Sequence, residues 1–90
     1  MRLEIRATAG ADLARIYVFN AERSIDWAER VESRLLQRAE ALTGAPHVGR
    51  PTTEPGVRRL SVPDIQYVMD YRIAESCVRI LRIYNTREIV

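Results

Sequence analysis

Hydrophobic and polar residues alternate along the first segment of the chain, RLEIRA, in the pattern of a half-buried strand. The apolar side chains would lie on one face of this strand and the charged ones on the other: Leu3, Ile5 and Ala7 against Arg2, Glu4 and Arg6. The period then lengthens to helical spacing, because Leu13 is followed by Ile16 and Tyr17, three and four positions later. We therefore expect a first helix, with the hydroxyl of Thr8 as its N-cap.

A second helix is predicted over the segment IDWAERVESRLLQRAEAL. Ser24 precedes this segment and offers an N-cap hydroxyl, whereas Gly44 and Pro46 end the helix. Its apolar stripe consists of Ala28, Val31, Leu35, Ala39 and Leu42. Only a few residues join the two helices, so we expect them to pack antiparallel as a hairpin.

The C-terminal half returns to a period of two residues in three segments, RRLSV, YVMDYRI and VRILRIYNTR. Pro63 and Asp64 separate the first two segments, and a tight turn at Glu75 and Ser76 separates the last two. These segments form an antiparallel three-stranded meander that the N-terminal strand can extend. The predicted fold is α+β, in the order β-α-α-β-β-β, with the helical hairpin on one face of a mainly antiparallel four-stranded sheet.

The two sheet faces follow from the register of the last hairpin. If Glu75 and Ser76 form a two-residue loop, the predicted pairs are Ile73 with Val78, Tyr71 with Ile80, and Asp70 with Leu81. The face under the helices would then carry Val78, Ile80, Arg82 and Tyr84, with Arg82 snorkelling or paired near an edge. The open face would carry an apolar centre framed by arginines: Arg59, Ser61, Val68, Asp70, Arg72, Arg79, Leu81, Ile83, Asn85 and Arg87. Such a patch favours a binding surface over a merely solvated face, although a register shift of one residue would exchange the two faces.

Length and composition limit the class of protein. The 90 residues are predicted to form one domain, 1–90, with 47 % hydrophobic and 29 % charged residues, as in a folded globular chain. The single cysteine, Cys77, excludes an internal disulfide, and no long apolar run suggests a membrane span, so a cytoplasmic protein is expected. All 14 basic residues are arginine, which excludes lysine-dependent chemistry.

Familiar catalytic and metal-binding patterns are absent from the sequence. It contains neither a glycine-rich phosphate loop nor paired cysteines or histidines at metal-ligand spacing, and we predict no metal and no cofactor. The only histidine, His47, lies in PHVGRPTTEPGVRRL, a proline- and glycine-rich stretch that we interpret mainly as a connector. Asp70 is expected to form a cross-strand ion pair with Arg72 or Arg79 rather than to act as a general base.

Three stretches in this order resemble the RelE/ParE toxin family of bacterial type II toxin–antitoxin systems: AGADLARIYVF, PHVGRPTTEPGVRRLSV and YVMDYRI with VRILRIYNTRE. The resemblance runs over nearly the whole chain and implies the same β-α-α-β-β-β fold. It also implies one of two functions, since RelE-type members cleave mRNA in the ribosomal A site and ParE-type members inhibit DNA gyrase and so block replication.

The residues of the RelE-type ribonucleases are only partly matched here. Arg59, Arg87 and Tyr84 are the catalytic candidates if the protein cleaves RNA. Ser61 and Val68 stand where relatives carry lysine or arginine, and Asn85 stands where many carry a histidine able to transfer a proton. The ParE-type function is therefore preferred, with the mRNA interferase as the alternative.

The resemblance also implies a cognate antitoxin, whose acidic and partly disordered segment would fold on binding. The predicted antitoxin-binding residues are Arg59, Arg72, Arg79, Leu81, Ile83 and Arg87. The predicted residues for the target, gyrase or alternatively the ribosome with mRNA, are Arg82, Tyr84, Asn85 and Arg87. Operator DNA would be bound only through the antitoxin complex, and the grooves around the helical hairpin could also take part in antitoxin binding.

Overall fold

The computed structural model describes residues 1–88. In this part of the chain two helices follow the first strand. Helix α1 spans Ala7–Ala21 and helix α2 spans Ile25–Ala41. The predicted cap of α2 is confirmed, because the Ser24 hydroxyl accepts a hydrogen bond from the Trp27 N–H at 3.2 Å. The predicted cap of α1 is wrong: the helix begins one residue before Thr8, whose hydroxyl instead donates to the Leu81 carbonyl at 2.8 Å. Positions 89 and 90 of the predicted domain lie outside the described residues.

The helices pack on a sheet of five strands, not the four predicted from the sequence. The strands are β1 (Arg2–Ile5), β2 (Arg50–Pro51), β3 (Val57–Val62), β4 (Tyr67–Ala74) and β5 (Cys77–Asn85), followed by a 3₁₀ turn at Thr86–Glu88. Their order is β1-β5-β4-β3-β2, and only the β1–β5 pair is parallel. The additional strand β2 lies within the predicted connector. Two residues, one of them a proline, are too short for a periodicity signal, and a sheet edge is where proline is tolerated.

The last hairpin confirms the predicted register close to its turn and departs from it further along. Ile73 lies opposite Val78, and Tyr71 lies opposite Ile80, as predicted. Beyond these pairs a β-bulge inserts Leu81, so that Asp70 lies opposite Arg82 rather than Leu81. A bulge adds one residue to one strand, so from Ile83 onward the side chains of β5 lie on the face opposite to the predicted one.

The predicted faces of four residues are therefore wrong. Asn85 and Arg87, expected on the open face, lie on the side of the sheet where α1 packs. Ile83, expected on the open face, lies in the core between sheet and helices and is only 2 % exposed. Tyr84, expected under the helices, lies on the opposite face, where its hydroxyl reaches Asp70. The two-residue loop specifies only the pairs nearest the turn, and the apolar pattern of β5 fits either arrangement.

The core fills the space between the helical hairpin and one face of the sheet. Its main members are Ile16, Val31, Leu35 and Leu42 from the helical segment and Leu60, Val62, Tyr67, Met69, Tyr71, Val78, Ile80 and Ile83 from the sheet segment. Each fully buried large apolar side chain contributes about 1.5–3 kcal/mol of transfer free energy. This layer fixes the hairpin over the sheet and leaves the opposite sheet face available for other contacts.

Tyr71 also fixes the connector that follows α2. Its hydroxyl donates to the Pro46 carbonyl at 2.7 Å and accepts from the Gly49 N–H at 2.9 Å. The guanidinium of Arg58 donates to the Gly49 carbonyl at 2.7 Å and to the His47 carbonyl at 3.2 Å. These bonds place β2 beside β3, and they involve the main chain of His47 rather than its ring.

Candidate partner-binding surfaces

The sheet face opposite the helices, here called the outer face, carries Arg59, Ser61, Val68, Asp70, Arg72, Arg79 and Tyr84. At its centre the Asp70 carboxylate accepts two hydrogen bonds from Arg59, at 2.7 Å from Nε and 3.2 Å from Nη2. The Tyr84 hydroxyl donates to the same carboxylate at 2.8 Å, and the Arg59 guanidinium lies 5.6 Å from the Tyr84 ring centroid. The ion-pair partner of Asp70 is therefore Arg59, its direct cross-strand neighbour, and not Arg72 or Arg79.

This cluster changes the ionisation of its members. Burial raises the pKa of Tyr84 to about 12, and the hydrogen bond to the negatively charged Asp70 adds to the effect. The hydrogen bond with Asp70 likewise raises the pKa of Arg59. Tyr84 is therefore neutral at physiological pH, and the two NH groups of Arg59 that face Asp70 are already engaged. Two of the three catalytic candidates, Arg59 and Tyr84, lie together, but in a closed ion-pair and hydrogen-bond cluster.

Two further arginines of the outer face lie directly opposite each other, Arg72 on β4 and Arg79 on β5. Arg79 forms an ion pair with Glu4 of β1, with Nε and Oε1 2.7 Å apart. Among residues 1–88, the Arg72 guanidinium has a single long hydrogen bond, 3.5 Å, to the Pro55 carbonyl. Like charges at directly opposed positions repel, so this end of the outer face favours an incoming anion.

The remaining predicted residues of β5 are divided between the bulge and the core. Arg82 is paired, as expected, but its partner is Asp12 of α1, with Nε and Oδ2 2.8 Å apart. Ile83 is buried, and Leu81 is half-buried at the bulge. Burial opposes ionisation of Asp12, but hydrogen bonds from Arg82, the Ile83 N–H and Arg15 together hold the pKa of the Asp12 carboxyl below its usual value.

A second surface lies between α1 and the end of β5, and we call it the α1 groove. It is a cavity of about 260 Å³ lined by Arg15, Ile16, Phe19, Tyr67, Asn85 and Arg87. Phe19 and its neighbour Val18 are each 61 % exposed, which is unusual for large apolar side chains of a helix that packs on a sheet. The predicted target residues Asn85 and Arg87 meet here, and the Arg87 N–H donates to the Asn85 side-chain oxygen at 2.8 Å.

The floor of the α1 groove is held by a buried amide network. Asn20 donates to the Tyr67 hydroxyl at 3.1 Å and accepts from the Trp27 indole N–H at 3.0 Å. An adjoining cavity of about 320 Å³ continues past Trp27 to Arg23 and Asp64. Three arginines, Arg15, Arg23 and Arg87, therefore surround an apolar floor. The sequence analysis missed Phe19, because Val18 and Phe19 directly follow the apolar stripe of α1 and cannot be separated from it by periodicity.

Residues 1–88 contain neither a cluster of metal-ligating side chains nor a helix able to span a membrane. Within residues 1–88, no group of three or more histidine, cysteine or acidic side chains is arranged to hold a metal ion. In the same part of the chain, neither helix combines the length and the apolar content that crossing a bilayer requires.

The fold defines the class of protein, a small α+β domain in which two helices pack on a five-stranded mixed sheet. The chain belongs to the ParE toxin family of type II toxin–antitoxin systems, parDE, whose family model matches residues 3–90. It is similar to a solved structure described as the chromosomal ParDE toxin–antitoxin system from P. aeruginosa, with a TM-score of 0.85. That similarity has 26 % sequence identity and covers 94 % of this chain and 95 % of the other. No curated protein sequence matches the chain.

Proposed function

We propose that this ParE-family toxin inhibits DNA gyrase, thereby blocks replication, and is neutralised by a cognate antitoxin. Residues 1–90 would act as one toxin domain in the cytoplasm. The observation that carries the proposal is the family match over residues 3–90, because gyrase is the target that the resemblance to ParE-type members implies. The closed outer-face cluster supports the same choice, since it leaves the ribonuclease candidates poorly placed for chemistry.

The alternative, cleavage of mRNA, finds no support in the geometry. Metal-free RNA cleavage needs a group that transfers a proton and cations that stabilise the developing charge. The Tyr84 hydroxyl donates a hydrogen bond to Asp70, and its pKa of about 12 leaves almost no phenolate at neutral pH. Arg59 is paired with Asp70, and Asn85 cannot transfer a proton.

The α1 groove and the outer face are the proposed sites for the antitoxin. An acidic segment with apolar anchors complements an apolar floor surrounded by Arg15, Arg23 and Arg87. On the outer face we propose contacts with Arg59, Arg72 and Arg79. Leu81 would contribute from the bulge, and Arg87 from the α1 groove. Ile83 is not included in this set because its side chain lies in the core.

The target contacts are proposed at the end of β5. Asn85 and Arg87 line the α1 groove and are the preferred pair. Arg82 and Tyr84 would contribute through the surface that they form with Asp12 and Asp70, respectively. If antitoxin and gyrase both need this end of the strand, antitoxin binding would block the target site directly. Operator DNA would be contacted only through the antitoxin complex.

The function is tested with the purified toxin freed from its antitoxin. We expect it to abolish supercoiling by gyrase and to leave mRNA intact in a translating extract. Arg87→Gln should weaken the inhibition, whereas Arg30→Gln, which removes the same charge from an exposed position of α2, should not. Cleaved mRNA together with normal supercoiling would overturn the proposal in favour of the ribonuclease.

The antitoxin site is tested by placing a negative charge in the α1 groove. Phe19→Glu should weaken antitoxin binding strongly, because it removes an apolar contact and repels an acidic segment. Val48→Glu is the matched control, since Val48 is similarly exposed, at 58 % against 61 %, but lies in the connector after α2. Equal affinities of the two variants for the antitoxin, measured by calorimetry, would exclude this groove as its site.

A further inference from the structure

Two positively charged arginines lie opposite each other on neighbouring strands at the edge of the sheet, where their charges repel. Arg50 on β2 lies directly opposite Arg59 on β3, and side chains at opposed positions of adjacent antiparallel strands point to the same face. Their Cβ atoms are then about 5 Å apart, and like charges at this separation destabilise the pair. Binding of an anion between the two guanidinium groups would reduce this repulsion.

The two guanidinium groups differ in what balances them. Arg59 is held by Asp70, through two hydrogen bonds of 2.7 and 3.2 Å. Arg50 is exposed, and its guanidinium has neither a hydrogen bond nor an ion pair within the described part of the chain. One uncompensated positive charge therefore remains at the β2–β3 edge, beside the Arg59 guanidinium, which is paired with Asp70.

Both arginines line a cavity of about 480 Å³, which we call the β2–β3 cavity, together with Pro51, Thr52, Thr53 and Ser61. The hydroxyl groups of Thr53 and Ser61 are exposed and have no hydrogen-bond partner among the described residues. The cavity thus brings together two cationic donor groups and two free hydroxyl donors, and no acidic side chain lines it. Its lining is suited to an anionic oxygen ligand.

The loop that forms one wall of the cavity is fixed before any ligand arrives. The Thr52 N–H donates to the Val57 carbonyl at 2.9 Å, and the Thr52 hydroxyl donates to the same carbonyl at 3.0 Å. The Glu54 N–H donates back to the Thr52 hydroxyl at 3.2 Å. A preformed wall reduces the entropy lost on binding, because Thr53 needs no loop rearrangement to present its hydroxyl.

We propose that the β2–β3 cavity binds a carboxylate side chain of an acidic polypeptide. The planar guanidinium of Arg50 matches a carboxylate in a bidentate pair, and Ser61 or Thr53 can donate to a remaining lone pair of the same group. The ligand is defined by this chemistry alone, so the site does not depend on which protein supplies the carboxylate or on the toxin assignment.

A nucleic acid backbone fits the same cavity less well. Each contact between a phosphate and a cationic side chain adds only a small, salt-dependent increment to the binding affinity. A nucleic acid backbone therefore needs several such contacts in a row to bind. Here Arg50 is the one uncompensated guanidinium of the cavity, and the negatively charged Asp70 lies beside Arg59 in the next strand. Asp70 would repel a phosphate chain laid across the sheet, whereas a single carboxylate avoids it.

The test measures binding of a short polyglutamate peptide to the full-length protein at low ionic strength. Arg50→Gln is expected to weaken binding about fivefold, the effect of one exposed charge pair. Arg30→Gln, an exposed α2 position that loses the same charge, should stay within the measurement error of the wild type. Ser61→Ala is expected to weaken binding by a smaller factor, and circular dichroism checks that each variant is folded.

A second arm uses an oligothymidylate with the same net charge as the peptide, and the Nε–Hε NMR signal of Arg50 reports contact directly. A shift of this signal with the peptide, together with weaker binding of the oligothymidylate, supports the proposal. Tighter binding of the oligothymidylate with the same dependence on Arg50 would make the cavity a phosphate site and overturn it. Equal losses for Arg50→Gln and Arg30→Gln would also overturn it, because they would mean unspecific attraction by the net positive charge.

Discussion

The carboxylate of Asp12 in α1 accepts a hydrogen bond from the backbone N–H of Ile83 in β5, at 2.9 Å and across 71 positions of the sequence. The same carboxylate accepts from Arg82 Nε at 2.8 Å and from Arg15 at 3.3 Å. Asp12 is only 5 % exposed. One buried side chain therefore joins the first helix to the strand position that follows the bulge, and this position determines which face Ile83 and Tyr84 occupy.

Removing this carboxylate should loosen both the helix and the bulge. Asp12→Ala leaves the Ile83 N–H and the Arg82 guanidinium without their acceptor, and we expect the free energy of unfolding to fall by about 2 kcal/mol, since Arg82 is half-exposed and recovers water. Urea denaturation followed by circular dichroism measures the change. Glu29→Ala, on the exposed side of α2, is the control, and a loss no larger than that of the control would contradict the role of Asp12.

The same interaction predicts a dependence of stability on acid pH. The pKa of Asp12 is lower in the folded chain than its ordinary value of 3.8, so the folded state is stabilised at pH values above 3.8. This stabilisation is lost as the pH falls through the pKa of the folded state, because the carboxyl must then bind a proton. Asp12→Asn should therefore show a smaller fall in stability than the wild type below about pH 4. Parallel curves of unfolding free energy against pH for the two proteins would contradict this prediction.

Much of the architecture could be predicted from local signals, and the failures arose where distant contacts decide. The helix over Ile25–Ala41 could be predicted from its Ser24 cap and its apolar stripe. The first residue pairs of the last hairpin could be predicted from the two-residue turn at Glu75 and Ser76. The bulge could not be predicted, because Val78 and Ile80 form one apolar pair and Leu81 and Ile83 form a second pair on the other face, so either face of a regular strand could be the buried one. The register beyond the bulge is fixed by the contact of Asp12 in α1 with the Ile83 N–H. Nothing in the sequence indicates that this polar residue contacts β5.

The candidate sites show the same division. Arg59 was assigned correctly to the open face. Tyr84 was assigned to the face under the helices and Arg87 to the open face, and both assignments are wrong because they depend on the register of β5. Arg59 pairs with Asp70 because the two residues are cross-strand neighbours, which only the β3–β4 pairing reveals. Phe19 could not be recognised as exposed, since its apolar character alone predicts burial.

The raised pKa of Tyr84 can be measured directly. Burial and the hydrogen bond to Asp70 favour the neutral phenol, so Tyr84 should ionise near pH 12 rather than near 10. The raised pKa of Tyr84 stabilises the folded state fully below pH 10, the ordinary pKa of tyrosine in the unfolded chain. This stabilisation is lost as the pH rises from about 10 towards 12. The difference between ultraviolet titrations of the wild type and Tyr84→Phe isolates this one group. Asp70→Asn should bring the pKa down, and a Tyr84 transition already near pH 10 in the wild type would contradict the cluster.

Two glycines should respond in opposite directions to the same substitution. A Cβ at Gly49 would lie 2.5 Å from the Tyr71 hydroxyl oxygen and 2.6 Å from its ring carbon Cε1, so Gly49→Ala must displace a fully buried ring and its hydrogen bonds. We expect a loss of about 2 kcal/mol in the free energy of unfolding. Gly10 lies inside α1, and a Cβ there meets no atom within 4 Å. Gly10→Ala should therefore stabilise the protein by about 0.5–1 kcal/mol, the ordinary gain for alanine over glycine in a helix.

Thermal and urea unfolding of the two variants test this contrast between Gly49 and Gly10. If Gly49→Ala matched the wild type in stability, the packing of Tyr71 against the connector would be wrong, and with it the position of β2. If Gly10→Ala were destabilising, a partner atom would have to lie over that face of α1. The two changes in stability must have opposite signs for the contrast to be informative. If the fold were sensitive to any larger side chain, both variants would be less stable than the wild type. Only the placement of Tyr71 between Pro46 and Gly49 predicts a loss at one glycine and a gain at the other.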